Sequence, residues 1–409
     1  MENEIAALEI RSKNLVLLIG NVIDNKLNVT YKTIRPLSVS LKNGEILDAP
    51  SLVNDIKGIL EIFDNKHSLK FNINEVSLVL PPYGLEVYNS EKVTNVISNQ
   101  SRIEKIDISN ALNMLKKERI LNQNNAIVEI IPNEFIIDGD YSFTNPPLGQ
   151  TSSQLNVKAD IYTLPKKNIF DLMDCVVNAG IKVRRNVISS IGVAEIFKLY
   201  NSDFSTYVLV DCGSRNATLT FIGENKPYNS TYFEYGLDYL IDDVVCGFNC
   251  FRSDAESLID YYGYDERNTK FNPPIFENEV ESLKQKFYRE DLNNIISTYF
   301  DKWFDIFSSS LDSLIEEYRN IIPKINLVFI GENTKINGFK KYLEEKLINF
   351  NCFFPSLPCI GVEDSQYLNC AGTIVFSSKY KGSLEDDFKG KFKEVEREEK
   401  SYNETVDDL

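Results

Sequence analysis

Two acidic residues stand where a carboxylate could do chemistry. Asp211 closes the apolar run Val208-Leu209-Val210 and is followed by Cys212 and the turn-forming Gly213-Ser214-Arg215-Asn216. Such a run reads as a strand buried on both faces, and a carboxylate at its end is costly without a partner. An acidic residue ahead of a tight turn between two strands can hold the water shell of a magnesium ion while turn N–H groups cradle phosphate. The plain alternative is an ordinary hairpin within a sheet. Glu9 stands in the same relation to Arg11-Ser12-Lys13-Asn14: an acid, one apolar residue, a turn ending Ser-basic-Asn, then the apolar strand Leu15 to Gly20. If the correspondence is real, the chain holds two related domains whose turns face each other across one cleft.

The bulk properties narrow the classes of function. A chain of 409 residues is too long for one core, so two or more domains are expected. A net charge of −16 argues against nucleic acid as the main partner and against direct docking on anionic lipid. The seven cysteines are scattered without a CxxC pair, and His67 is the only histidine. A zinc site and a Ser-His or Cys-His hydrolase are therefore excluded as leading readings. Dispersed cysteines fit a reducing cytoplasm, and neither a signal peptide nor a run of about 18 apolar residues is present.

The elements that must position the two acids follow in order. Residues 26–35 alternate as a strand, and Val53, Ile56, Leu60 and Phe63 recur at helical spacing. Residues 76–81 read as a buried strand. Residues 82–165 read as an inserted unit, with a helix capped by Asp107, strands over 126–135 and 155–164, and a rigid turn at Asn145-Pro146-Pro147-Leu148-Gly149. A helix over 168–179 stops at Gly180, and Ser253-Asp254-Ala255-Glu256 reads as a capping box. Ile295, Tyr299, Trp303, Phe307, Leu311, Leu314 and Tyr318 form a long helical stripe, read as core. Residues 326–330 are a buried strand ending in a third turn, Gly331-Glu332-Asn333, and residues 367–376 a packed helix. The expected domains are 1–81 with 166–200, the insert 82–165, a second domain 201–378 and an acidic, disordered tail 379–409.

With these pieces placed, the chain resembles FtsA, the actin-like cell-division family of bacteria, over about residues 8–376. The resemblance rests most on 41–48 (LKNGEILD), 130–139 (IIPNEFIIDG) with 145–149, Asn178-Ala179-Gly180-Ile181, and 236–263. It implies an α/β fold of the actin-like, ribonuclease H-like duplicated kind, with an FtsA-type inserted subdomain. It further implies an ATPase class whose filaments anchor the tubulin-like FtsZ ring at the cytoplasmic face of the division site, with the partner peptide around Phe271 to Leu314.

The same resemblance places a nucleotide site on Glu9, Arg11, Ser12 and Lys13 in the first turn, and on Asp211, Gly213, Ser214, Arg215 and Asn216 in the second. Gly236, Asp238 and Glu256 would belong to the connecting segment, and Gly331 and Glu332 to the adenosine turn; Glu9 and Asp211 would reach magnesium through water if ATP binds. The departures are many. Arg11, Ser12 and Lys13 stand where the family has Gly-Thr-Ser, and of the second turn's glycines, threonines and aspartate only Gly213 is kept. Glu332 and Asn333 replace two glycines, and Ile259 a lysine. Each lost glycine removes a place where backbone can approach phosphate. Two readings stay open: ATP and magnesium bind with Lys13 and Arg215 as charge partners, or the basic residues pair with Glu9 and Asp211 and clamp the domains without ligand. The loss of motif residues in three turns favours the second, a pseudo-ATPase.

Family members end in an amphipathic helix that inserts at the membrane surface. From Leu384 onward this chain has ten acidic and five basic residues and only the thin stripe Phe388, Phe392, Val395, so membrane contact is expected to be indirect. The leading function is a division-site adaptor. A sugar-kinase-like phosphotransferase or a pilus-assembly platform of the same superfold are the alternatives.

Overall fold

The computed structural model describes residues 4–379, except 42–44, 68–72, 99, 119–121, 201–204, 266–271, 281–282, 320–324, 357–358 and 360–362. The expectation for the acidic tail lies outside the described residues. In chain order, β1 (Ile5–Ile10), β2 (Asn14–Ile23) and β3 (Lys26–Pro36) are followed by α1 (Ala49–His67) and β4 (Glu75–Leu80). Next come β5 (Glu86–Asn95), α2 (Lys105–Lys116), β6 (Asn125–Ile137), β7 (Tyr141–Phe143) and β8 (Gln154–Pro165). Then α3 (Lys166–Asn178), β9 (Lys182–Ile188) and α4 (Ser189–Tyr200) lead to β10 (Tyr207–Cys212), β11 (Ala217–Gly223) and β12 (Lys226–Phe233). The remainder is α5 (Leu237–Phe248), α6 (Arg252–Tyr262), β13 (Pro274–Val280), β14 (Leu283–Tyr288), α7 (Arg289–Ile315), β15 (Asn326–Gly331), α8 (Phe339–Lys346), β16 (Asn351–Phe353) and α9 (Leu368–Lys379).

Two five-stranded sheets repeat one topology. The first runs β3-β2-β1-β4-β9 and the second β12-β11-β10-β15-β16. In each, the first three strands form an antiparallel meander, and the last two join parallel to its first strand. A third sheet, β5-β8-β6-β7, is built from the stretch read as an insert, and β13-β14 form a separate ribbon.

Strand periodicity decides where the acids point. Successive side chains of a strand face opposite sides. Ala6, Leu8 and Ile10 of β1 pack with α1 and α3, and Val208, Val210 and Cys212 of β10 pack with α5, α6 and α7. The alternate residues Ile5, Ala7, Tyr207 and Leu209 face a shared central layer with α4 and α9. Glu9 and Asp211 fall in this second set, so both face the seam between the sheets. The two central helices cross closely: a Cβ on Gly372 would lie 2.2 Å from the Gly192 carbonyl carbon. No side chain larger than hydrogen fits there.

Of the expected apolar stripe, Tyr299, Trp303, Phe307, Leu311 and Leu314 are core, whereas Ile295 is half-buried and Tyr318 lies beyond the end of α7. Leu292, Ile296, Tyr299, Phe300, Trp303 and Phe307 of α7 are buried under the second sheet. Trp303 stacks on Phe307 at 5.0 Å. Each such side chain contributes roughly 1.5–3 kcal/mol through its removal from water.

Helix α3 begins at Lys166 rather than 168, and two capping assignments differ from the sequence reading. Helix α2 begins at Lys105, with Glu104 as its N-cap; Asp107 sits one turn inside and accepts from the Glu104 and Ile97 N–H groups. Helix α6 begins at Arg252 behind Phe251, so residues 253–256 are already helical and form no cap. The Arg252 guanidinium reaches Asp238 and Asp242 of α5, and the Phe251 carbonyl accepts from the Asp254 and Ala255 N–H groups. These contacts start the helix before Ser253 can cap it.

Candidate functional site

The two turns are built alike. Ile10 pairs with Leu15 and Cys212 with Ala217 across their hairpins. The Arg11 N–H donates to the Asn14 carbonyl at 2.8 Å, and the Gly213 N–H donates to the Asn216 carbonyl at 3.0 Å. The correspondence read from two hexapeptides is therefore a correspondence of backbone geometry.

The acids meet at the seam through a residue that sequence reasoning did not single out. Asn369, buried in the first turn of α9, donates through Nδ2 to Glu9 Oε1 at 2.7 Å and to Asp211 Oδ2 at 2.8 Å. A polar residue flanked by Leu368, Cys370 and Ala371 in a stretch expected to be packed was the available signal. Glu9 also takes the Arg11 guanidinium at 2.7 Å. Burial pushes the Glu9 carboxyl above the usual range, and Arg11 opposes that rise. The neighbouring Cys212 and Cys370 thiols are pushed well up by burial, so they are poor nucleophiles.

Contacts between the turns cross the cleft. Ser12 Oγ donates to Asn216 Oδ1 at 3.3 Å, and Asn14 Nδ2 donates to Glu332 Oε1 at 3.0 Å. Lys13 Nζ lies 2.6 Å from Asp238 Oδ1. Asp238, buried at the start of α5, collects two further cations: Arg252 at 2.7 Å and Arg215 at 3.3 Å. The expected pairing is thus redistributed. Arg11 pairs with Glu9, whereas Lys13 and Arg215 converge on Asp238 and Asp211 is held by Asn369. Asp238 wins because it opens a helix whose N-terminal N–H groups already favour negative charge. Burial raises the Glu332 carboxyl, against the pull of Arg11 and the Asn14 hydrogen bond.

The retained glycines serve backbone packing. A Cβ on Gly236 would lie 2.4 Å from the Gly213 carbonyl oxygen, because the start of α5 rests on the second turn. Gly331 has φ +93°, and a Cβ there would lie 2.7 Å from Asp211 Oδ1. Space divides unevenly along the cleft. A cavity of ≈ 70 Å³ is lined by Glu9, Arg11, Ser12, Asp211, Gly213, Ser214, Asn216, Tyr83 and Asn369 among others. A second of ≈ 520 Å³ is lined by Lys13, Ser214, Asp238, Arg252, Glu256, Ile259 and Glu332 among others. Arg215, Gly236 and Gly331 line neither. Of the stretch expected to take a partner peptide, Phe271 lies outside the described residues; 272–314 hold β13, β14 and α7.

This duplicated, cleft-bearing architecture defines an actin-like protein. Known structures agree on the fold. The PilM-PilN type IV pilus biogenesis complex superposes with a TM-score of 0.57 over 92% of this chain and 99% of that chain, at 13% identity. MreB 5 of Spiroplasma citri bound to AMPPNP superposes with a TM-score of 0.53 over 93% and 98%, at 12% identity. A sequence profile described as "SHS2 domain inserted in FTSA" matches residues 84–163, the stretch that carries the third sheet. The cell division protein FtsA of Bacillus subtilis is 23% identical over 91% of this chain and 83% of that protein. That of Enterococcus hirae is 24% identical over 75% and 69%. These comparisons support a divergent FtsA, an actin-like division protein. Among the described residues, no helix is long and apolar enough to cross a membrane.

Proposed function

We propose that this protein is a division-site adaptor that binds the C-terminal peptide of an FtsZ-like tubulin homologue, and that its lobes are held together by its own side chains in place of a nucleotide. The observation that carries the second part is the set of ties across the cleft: Ser12 to Asn216, Asn14 to Glu332 and Lys13 to Asp238. These ties join the turns and the helix start to which the family resemblance assigns a nucleotide. The Arg11 guanidinium is committed to Glu9, and the cavity beside both acids is the smaller of the two in the cleft, at ≈ 70 Å³ against ≈ 520 Å³. On this reading a triphosphate with its magnesium shell would have to displace these ties and the Arg11–Glu9 pair. The larger cavity, at ≈ 520 Å³, is within the range of small-molecule sites, but it faces a mixed set of acids and bases.

On this reading the cell-division relatives and the profile match over 84–163 support the adaptor over the kinase-like alternative. That alternative needs a carboxylate free to act as base beside a well-seated ATP, and Glu9 and Asp211 are both engaged. The pilus-platform alternative shares only the fold with this chain. Membrane attachment on this reading is indirect, through a partner.

The deciding experiment is a pull-down with the C-terminal peptide of the cognate FtsZ, run beside a fluorescent-ATP titration with magnesium. Capture of the protein by the peptide and no saturable ATP signal are expected. Tight, magnesium-dependent ATP binding would remove the nucleotide-free reading, and failure of capture would remove the adaptor.

A further inference from the structure

We propose that the sheet β5-β8-β6-β7 is a strut joined to the second lobe by a latch on Lys226, so that opening of the cleft and release of this sheet are one coupled event. The inference does not depend on what the cleft binds, because it rests on a separate surface. Along β8, Leu155, Val157, Ala159 and Ile161 pack into the strut's own core. The other face changes partner along its length: Tyr162 and Leu164 enter the core beneath the first sheet. Asp160 lies between these regimes and is buried, with 5% of its surface exposed. Lys226 Nζ of β12 lies 3.3 Å from Asp160 Oδ2 and also donates to Asn133 Oδ1 of β6.

Both sides of the latch are shaped for it. Glu224 and Asn225, at φ +51° and +61°, make the two-residue turn that opens β12 and presents Lys226 as its first residue. On the strut, the β6–β8 register slips between Pro132 and Glu134. Asn133 is the bulged residue, and a bulge re-aims a side chain out of the regular alternation. At the far end of β12, Tyr232 packs on Tyr83 at the root of the strut, with ring centroids 5.0 Å apart. Tyr83 also lines the ≈ 70 Å³ cavity beside the acids, so the strut's root reaches the cleft itself. β12 is the edge strand of the second sheet, and edge strands are commonly covered; here the strut is the cover.

While Asp160 stays buried, losing Lys226 leaves its charge uncompensated. The lobes therefore cannot part while Lys226 stays on Asp160. By reciprocity, loosening either contact must loosen the other by the same factor.

Amide hydrogen exchange on the full chain tests this. In Lys226→Met, exchange is expected to quicken at least threefold in residues 156–163 and, remotely, in the turns 11–14 and 213–216. In Lys13→Ala, whose change lies in the cleft, exchange at 156–163 is expected to quicken by a similar factor. Lys226→Arg keeps the charge and should restore protection at both places. Should Lys226→Met unfold, Asp160→Asn, which keeps an acceptor and removes the buried charge, gives the same readout. Quickening confined to the neighbourhood of each substituted residue would overturn the coupling.

Discussion

The two turns share a backbone and differ in what fills it. In the first, position 11 is an arginine whose head is buried against Glu9; in the second, the matching position is Gly213 and the arginine comes two residues later, half-exposed on Asp238. One turn holds its cation inside, against Glu9, and the other holds it outside, on Asp238. A shared hairpin therefore does not make a shared site: the burial of one side chain decides whether the turn is closed from within or tied from without.

The largest effect should come from breaking the inner cation. Arg11→Ala leaves Glu9 buried beside Asp211 without its guanidinium, and should cost about 3–5 kcal/mol; urea unfolding followed by circular dichroism reads it. The next is the residue that joins the two acids. Asn369→Leu removes the donor that both carboxylates use, with an expected loss of about 1–3 kcal/mol. The same assay measures it, and a loss under half that would mean the acids find other partners. The outer cation should matter far less. Arg215→Ala leaves Asp238 with Lys13 and Arg252, and the change should stay within about 0.5 kcal/mol. An effect for Arg215 equal to that of Arg11 would erase the contrast between the turns.

The smallest effect, with a sign of its own, belongs to Glu332. Its carboxyl is raised by burial, so the folded state holds the proton more readily than the unfolded chain. The stability this gives is present below the ordinary carboxylate range and is lost as pH rises through the raised value. Glu332→Gln keeps an acceptor for Asn14 and removes the charge. It should match or exceed the native protein in stability at neutral pH, with the advantage vanishing in acid. Melting temperatures across pH 4–8 would show the two curves converge as pH falls; parallel curves would refute the assignment.

The alternation of apolar residues was enough to find the hairpins, the long core helix α7 and the turn after Ile330. The likeness of residues 9–14 to 211–216 announced the duplication, since a turn's hydrogen bond is made by residues three apart and is written locally. The departures from glycine at Arg11, Glu332 and Asn333 were equally visible, for a missing glycine is a statement about backbone space. The helix start at Arg252 was less legible, because it is set by contacts with α5, whereas the start at Lys105 is a local capping box in which Asp107 takes the inner position.

What only the tertiary structure decided is which partner each charge takes. Sequence placed Lys13 and Arg215 near two acids, and packing gave them to a third, Asp238. Asn369, some 158 residues beyond Asp211, joined the acids. Lys226 reached back to a bulge at Asn133. Local spacing fixes the shape of a turn, because its hydrogen bonds close over a few residues. The pairing of buried charges is settled by which groups burial brings within about 3 Å, where an unpaired ion is costliest, and that is a property of the whole fold.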